Sequence, residues 1–218
     1  MAPTQQPDTD TLLKDELQRR WDTLAPNYNK ADWIIEHLLG VKHLRRELLS
    51  RASGAVLDVA CGTGANFPFY NGYATLTAVD LSPGMLDQAQ KRADQLDLAV
   101  DLKVMDAEAL NFPDGSFDTV VSSLSTCTVP DPVRQLREMG RVCRDDGHIL
   151  LIEHGRSRWR WFAWYQDRTV GTAFSVVGCR WNQDPLALIQ QAGLQVIDFQ
   201  RTGGGIFYTI EATPMAQT

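Results

Sequence analysis

The stretch Val56-Leu57-Asp58-Val59-Ala60-Cys61-Gly62-Thr63-Gly64 joins an apolar, β-branched run to a glycine turn. A junction of this kind ends a strand where backbone can approach a ligand closely. Asp58 closes the apolar run, Gly62 and Gly64 can take positive φ or leave a bare Cα, and Ala65-Asn66-Phe67 are placed to open a short helix. Alone, the glycine pair is weak evidence. A second apolar run, Ala74 to Val79, ends in Asp80 about twenty residues further on, the spacing at which doubly wound α/β sites set an acid against ribose hydroxyls.

The rest of the chain alternates in the same way. Strands are predicted at Ala55–Ala60, Ala74–Asp80, Ala99–Met105, Phe117–Ser123, His148–Glu153, Leu194–Phe199 and Ile206–Ala212. Helices are predicted from Pro83 to about Leu96, with Ser82 as N-cap, from Asp131-Pro132 through Val142, and from Pro185 to Ala192. Ahead of the first strand, apolar residues at helical spacing run from Thr11 until Pro26 interrupts them, and a second helix follows from about Asp32 to Ser50, kinked near Gly40. Residues Met1 to Asp10 read as a frayed polar tail, so residues 11–218 form one α/β domain with a helical cap over 11–50. Gly155 to Asp184 is a connection of about thirty residues, rich in tryptophan and arginine, and long connections are commonly lids or binding segments.

Four stretches together carry a resemblance to a known family: DVACGTG, AVDLSPGML, MDAEALNFPDGSFDTVVSS and LREMGRVCRDDGHILLIE. In this order they resemble the class I S-adenosylmethionine (SAM) dependent methyltransferases, and the small domains of menaquinone and ubiquinone biosynthesis among them. The resemblance implies a Rossmann-like sheet of seven mostly parallel strands in the order 3-2-1-4-5-7-6, β7 antiparallel, with helices on both faces. It implies SAM as cofactor and S-adenosylhomocysteine as product. The cofactor residues it suggests are Tyr28, Asp58, Ala60, Cys61, Gly62, Thr63, Gly64, Asn66, Asp80, Leu81, Met85, Asp106, Ala107 and Ser123. Within that set Asp106 meets the adenine amino group, Tyr28 lies against the cofactor and Cys61 offers its backbone N–H. Many relatives carry glycine where this chain has Ala60.

Composition narrows the partners. With 44% hydrophobic and 22% charged residues the 218-residue chain reads as an ordinary globular domain, and a net charge of −6 leaves no basic field for a nucleic-acid backbone. No apolar run is long enough to cross a bilayer, and a cytoplasmic protein is expected. Cys61, Cys127, Cys143 and Cys179 lie far apart, with no CxxC pair or histidine at ligand spacing, so reduced thiols and no metal are expected.

Methyl transfer from a sulfonium needs alignment and exclusion of water more than a strong electrophile, and a base only where the acceptor must lose a proton. Glu153-His154, at the end of the fifth strand, is the titratable pair expected at the cleft mouth, with His154 as base and Glu153 orienting it, anchoring the lid arginines or contacting a cationic acceptor. The aromatic and basic residues of Arg158 to Tyr165 point to a small, largely apolar acceptor reacting through sulfur, oxygen or nitrogen, or to peripheral contact with anionic lipid. Carbon methylation of a quinol precursor and a non-catalytic SAM-binding regulator remain alternatives. A nicotinamide dehydrogenase would read GxGxxG, and Gly62-Thr63-Gly64-Ala65-Asn66-Phe67 lacks the third glycine.

Overall fold

A computed structural model describes residues 9–38, 40–70 and 75–215. Seven strands form one sheet: β1 Ala55–Val59, β2 Thr75–Asp80, β3 Val100–Val104, β4 Phe117–Ser123, β5 Cys143–His154, β6 Leu194–Thr202 and β7 Phe207–Pro214. Their order is β3-β2-β1-β4-β5-β7-β6, with β7 antiparallel to both neighbours and the other pairings parallel. The order reverses beside β1, where crossovers depart in opposite directions and a crevice opens at the strand tips.

The central strands read as unbroken apolar runs because both of their faces are covered. Leu57, Val59, Val120, Ile149 and Leu151 face one core, shared with Leu136 and Met139 of α4 (Pro132–Val142) and Ile189 of α6 (Pro185–Ala192). Val56, Val121, Leu150 and Ile152 face the other, shared with α2 (Val41–Leu49) and with Leu86 and Ala89 of α3 (Pro83–Gln95). Ser82 caps α3 by accepting the Met85 amide at 3.1 Å, as its position before Pro83 suggests.

The N-terminal helices differ from the expected pair. A single helix, α1, runs from Thr9 to Leu38 straight through Pro26, and the break falls at Gly40, whose φ of 74° is left-handed. Packing of α1 on α2 and α3 opposes the roughly 3 kcal/mol an interior proline costs, whereas glycine turns the chain with little strain. The expected tail, Met1 to Asp10, lies outside the described residues except for its last two, which begin α1. The helix expected after Gly64 is one short 3-10 turn, Phe67–Phe69.

The 155–184 connection contains α5, Arg160–Val177. Gln166, fully buried, holds it in place: its Nε2 donates to the carbonyls of Gly155 (3.0 Å) and Trp181 (2.7 Å), and its Oε1 accepts the Ser157 amide (2.7 Å). At the far end of α5, Arg20 of α1 donates to the Phe174 carbonyl at 3.1 Å.

Candidate active site

A cleft opens at the strand tips beneath α1, with about 1000 Å³ of empty space counting the part open to solvent. Twelve of the expected cofactor residues line it: Tyr28, Ala60, Cys61, Gly62, Thr63, Asn66, Asp80, Leu81, Met85, Asp106, Ala107 and Ser123. Asp58 and Gly64 do not. Asp58 is fully buried behind the turn, and a Cβ on Gly64 would fall 2.6 Å from the Phe67 ring, so that glycine serves close packing.

The turn is built by its backbone. Ala60 and Gly62 take left-handed φ values of 53° and 55°, and a Cβ on Gly62 would meet nothing within 4 Å. Bare peptide therefore faces open cleft at Gly62. The Cys61 amide is not available to a ligand as expected, because it donates to the Val79 carbonyl at 3.0 Å in the β1–β2 junction. Asp80 accepts the amides of Gly62 (2.8 Å) and Ser82 (2.9 Å). Burial nevertheless pushes its carboxyl up to about 6 against those hydrogen bonds.

Behind the turn, Asn66 joins three elements, β1, α2 and β4. Its Nδ2 donates to both Asp58 oxygens at 3.1 Å, while its Oδ1 accepts Arg45 and, at 3.1 Å, the Ser123 hydroxyl. Burial pushes Asp58 up to about 7, and the bonds and the Arg45 charge only partly offset it. Arg45 also lines the cleft and was not foreseen. Its signal is legible in retrospect: it is a charge among Val41, Leu44, Leu48 and Leu49, the apolar face of α2.

Lys14 of α1 was likewise unforeseen. It lines the cleft and pairs with Asp106 at 2.8 Å and the buried Glu108 at 3.0 Å. Asp22 of the same helix accepts the Ser82 hydroxyl (2.5 Å) and the Gly84 amide (2.9 Å) at the start of α3. These contacts seat α1 as the roof. The opposite wall is the segment after β4, where Leu124, Ser125, Thr128, Val129 and Pro130 line the cleft.

Glu153 and His154 are not among the lining residues, contrary to their expected place at the mouth. Glu153 is buried and turns its Oε1 to the amides of Ser125 (3.4 Å) and Thr126 (3.2 Å), so it holds the wall from behind. His154 is drawn away by Cys179, whose Sγ lies 3.2 Å from its Nε2. The hydrogen bond from Cys127, together with His154 and Arg180 nearby, pulls the Cys179 thiol down to about 5. No residue of 155–184 lines the cleft. Although no cysteine and histidine stand at ligand spacing in the sequence, the ligand atoms of Cys127, His154 and Cys179 all lie within 4.8 Å of one another. They come from three separate segments that only the fold unites.

A family model described as a methyltransferase domain matches residues 57–151. The demethylmenaquinone methyltransferase of Renibacterium salmoninarum is 30% identical over 184 residues, 82% of this chain and 75% of that protein. The phosphatidylethanolamine N-methyltransferase of Cereibacter sphaeroides is 40% identical over 103 residues, 46% of this chain and 51% of that protein. The chain thus spans about half the length of that relative. Among solved structures, the geranyl diphosphate C-methyltransferase from Streptomyces coelicolor has a TM-score of 0.70, covering 93% of this chain and 98% of that one, at 15% identity. That likeness concerns the fold alone. Sheet order, glycine turn and the extended match over most of both sequences agree, and the chain belongs to the class I SAM-dependent methyltransferases of the small menaquinone- and ubiquinone-type family.

Proposed function

We propose that this chain transfers the SAM methyl group to a small, largely apolar acceptor through a sulfur, oxygen or nitrogen atom. The observation that carries the reading is the contrast between the two sides of the cleft. On the β2–β3 side stand the carboxylates Asp80 and Asp106, the latter paired with Lys14, while the segment after β4, Leu124, Ser125, Thr128, Val129 and Pro130, offers hydrocarbon and hydroxyls, with Arg45 the cation nearest it through Asn66.

The residues fit the cofactor. Asp80 is placed for the ribose hydroxyls, and Asp106, Leu81, Met85 and Ala107 for the adenine. Ala60, Gly62, Thr63, Asn66 and Ser123 are left for the methionine half, under Tyr28. Asp58 and Gly64 shape the turn from behind. SAM supplies, when bound, a methyl carbon activated by its sulfonium leaving group.

The chain's own contribution is then alignment and exclusion of water. Seating two reactants in one cleft replaces a bimolecular encounter with a positioned one, which is worth on the order of 7 kcal/mol or more where geometry is good. The roof of α1 and the wall at 124–130 supply that seat. Glu153 acts as a positioning residue through its bonds to the Ser125 and Thr126 amides. The Ser125 hydroxyl is fixed in turn by Gln135, whose Nε2 donates to it at 2.8 Å.

An apolar acceptor also accounts for the surface of α5 and the loop before it. Trp159, Trp161 and Trp164 are 55%, 68% and 64% exposed, beside the exposed Arg158 and Arg160. Amphipathic rings and guanidinium groups in one patch suit an anionic lipid surface, where such an acceptor would be dissolved.

Carbon methylation of a quinol is the second reading, favoured by the match to a demethylmenaquinone methyltransferase. Incubating the protein with methyl-labelled SAM and a panel of apolar thiols, phenols, amines and quinols separates the two. Label on a heteroatom is the expected result. Label only on quinol carbon selects the second reading, and cofactor binding without transfer to any member of the panel overturns both.

A further inference from the structure

We propose that Cys127, His154 and Cys179 form a Cys2His binding site for zinc, lying directly behind the cleft wall and independent of the choice of methyl acceptor. The three ligand atoms already lie within 4.8 Å of one another, and the Cys179 Sγ to His154 Nε2 separation is 3.2 Å. Two ligands bound to zinc at about 2.0–2.3 Å in tetrahedral geometry stand roughly 3.3–3.8 Å apart, so only small side-chain shifts are needed to seat the ion. Two sulfurs and an imidazole nitrogen form a donor set suited to a thiophilic cation, and zinc accepts three protein ligands with a fourth position left to water or an incoming group.

The backbone holds the set in register. Cys127 lies in the segment after β4, His154 ends β5, and Cys179 follows Gly178, the left-handed cap of α5. The Arg180 amide donates to the Cys127 carbonyl at 2.9 Å, and Arg180 Nη1 to the Val129 carbonyl at 2.7 Å. These bonds tie the loop after α5 to the cleft wall at the level of the two sulfurs. All described cysteines are free thiols, so Cys127 and Cys179 are not already consumed in a disulfide. A bound ion would join three chain segments: the wall that carries Leu124 to Pro130, the tip of β5, and the aromatic segment containing α5. The effect would be to lock the wall against the sheet.

Cobalt(II) reports such a site directly. Titrated into the reduced, full-length protein without air, it should give a thiolate-to-cobalt charge-transfer band and the intense visible bands of four-coordinate cobalt, saturating at about one ion per chain and bleached by zinc. Cys179→Ser should lose about half the charge-transfer intensity and weaken binding roughly 100-fold or more, and Cys127→Ser should do the same. Cys143→Ser, which alters a thiol at the start of β5 outside the cluster, should change neither. Should the buried Cys127 variant fail to fold, alkylation of the wild-type protein serves instead, with zinc protecting Cys127 and Cys179 while Cys61 and Cys143 react as before. A titration with no saturable band, or a band indifferent to both cluster variants, overturns the proposal. So does a reduced protein that ignores cobalt while its air-exposed form shows a Cys127–Cys179 disulfide on peptide mapping, which would mark a redox pair.

Discussion

The Gly62 amide donates to the Asp80 carboxylate at 2.8 Å, tying the turn after β1 to the acid that ends β2. One side chain therefore sets the shape of the glycine turn and is the one proposed to meet the cofactor sugar. Asp80→Ala removes the acceptor for both the Gly62 and Ser82 amides along with that carboxylate. Hydrogen bonds to a charged group are worth about 1.5–3 kcal/mol, so S-adenosylhomocysteine affinity should fall roughly 10- to 150-fold. Calorimetry on the variant checks this, and an unchanged affinity would remove Asp80 from the site.

Ala60 sits in the left-handed region at φ 53°, where glycine carries no Cβ penalty. Such a residue carries roughly 1–2 kcal/mol of backbone strain, and glycine at the same place loses part of that gain through a more flexible unfolded chain. Ala60→Gly should therefore raise stability by up to about 1 kcal/mol in urea unfolding. Gly62→Ala runs the other way. Its methyl meets no protein atom but enters the cleft at φ 55°, so it should cost up to about 1 kcal/mol of stability and lower cofactor affinity as well.

Asp58 couples folding to pH. Burial lifts its carboxyl from an ordinary 3.8 to about 7, and Arg45 from α2, Asn66 and Asp80 from β2 are among the groups that face it. A raised folded-state pKa contributes stability that is complete below pH 4 and is lost as pH rises through 7. Between pH 5 and pH 8 the wild type should lose on the order of 2 kcal/mol through this group. Urea unfolding of Asp58→Asn at both pH values should show that part of the slope gone, and a variant with the full wild-type slope would contradict the assignment.

The exposed tryptophans predict a surface activity. Liposome flotation should recover the protein with vesicles containing anionic phospholipid and much less with purely zwitterionic ones. Trp161→Ser with Trp164→Ser should cut the recovered fraction several-fold without changing cofactor affinity. Equal recovery by the double variant would assign the patch to another partner.

The strands, the glycine turn and the acid ending β2 were legible because each rests on local pattern, apolar runs, turn residues and the spacing from Asp58 to Asp80, whereas the strand order and Asp106 came only from the family resemblance. Pro26 misled, since interior proline reads as a stop and only tertiary packing lets α1 continue through it. Lys14 and Arg45 were missed because a single charge on a helix reads as solvated until its neighbours are known. His154 was expected in the cleft on strand-end position alone, which cannot report that Cys179, 25 residues further on, would claim its ring. The same long-range closure hid the Cys127–His154–Cys179 cluster from any spacing rule.

The account depends first on the crevice beside β1 binding the methyl donor. Isothermal titration of the purified, folded protein with S-adenosylhomocysteine, and separately with SAM, tests that most directly. One saturable site per chain for both ligands is the predicted result; absence of measurable heat with either, in protein that unfolds cooperatively, would contradict the central claim.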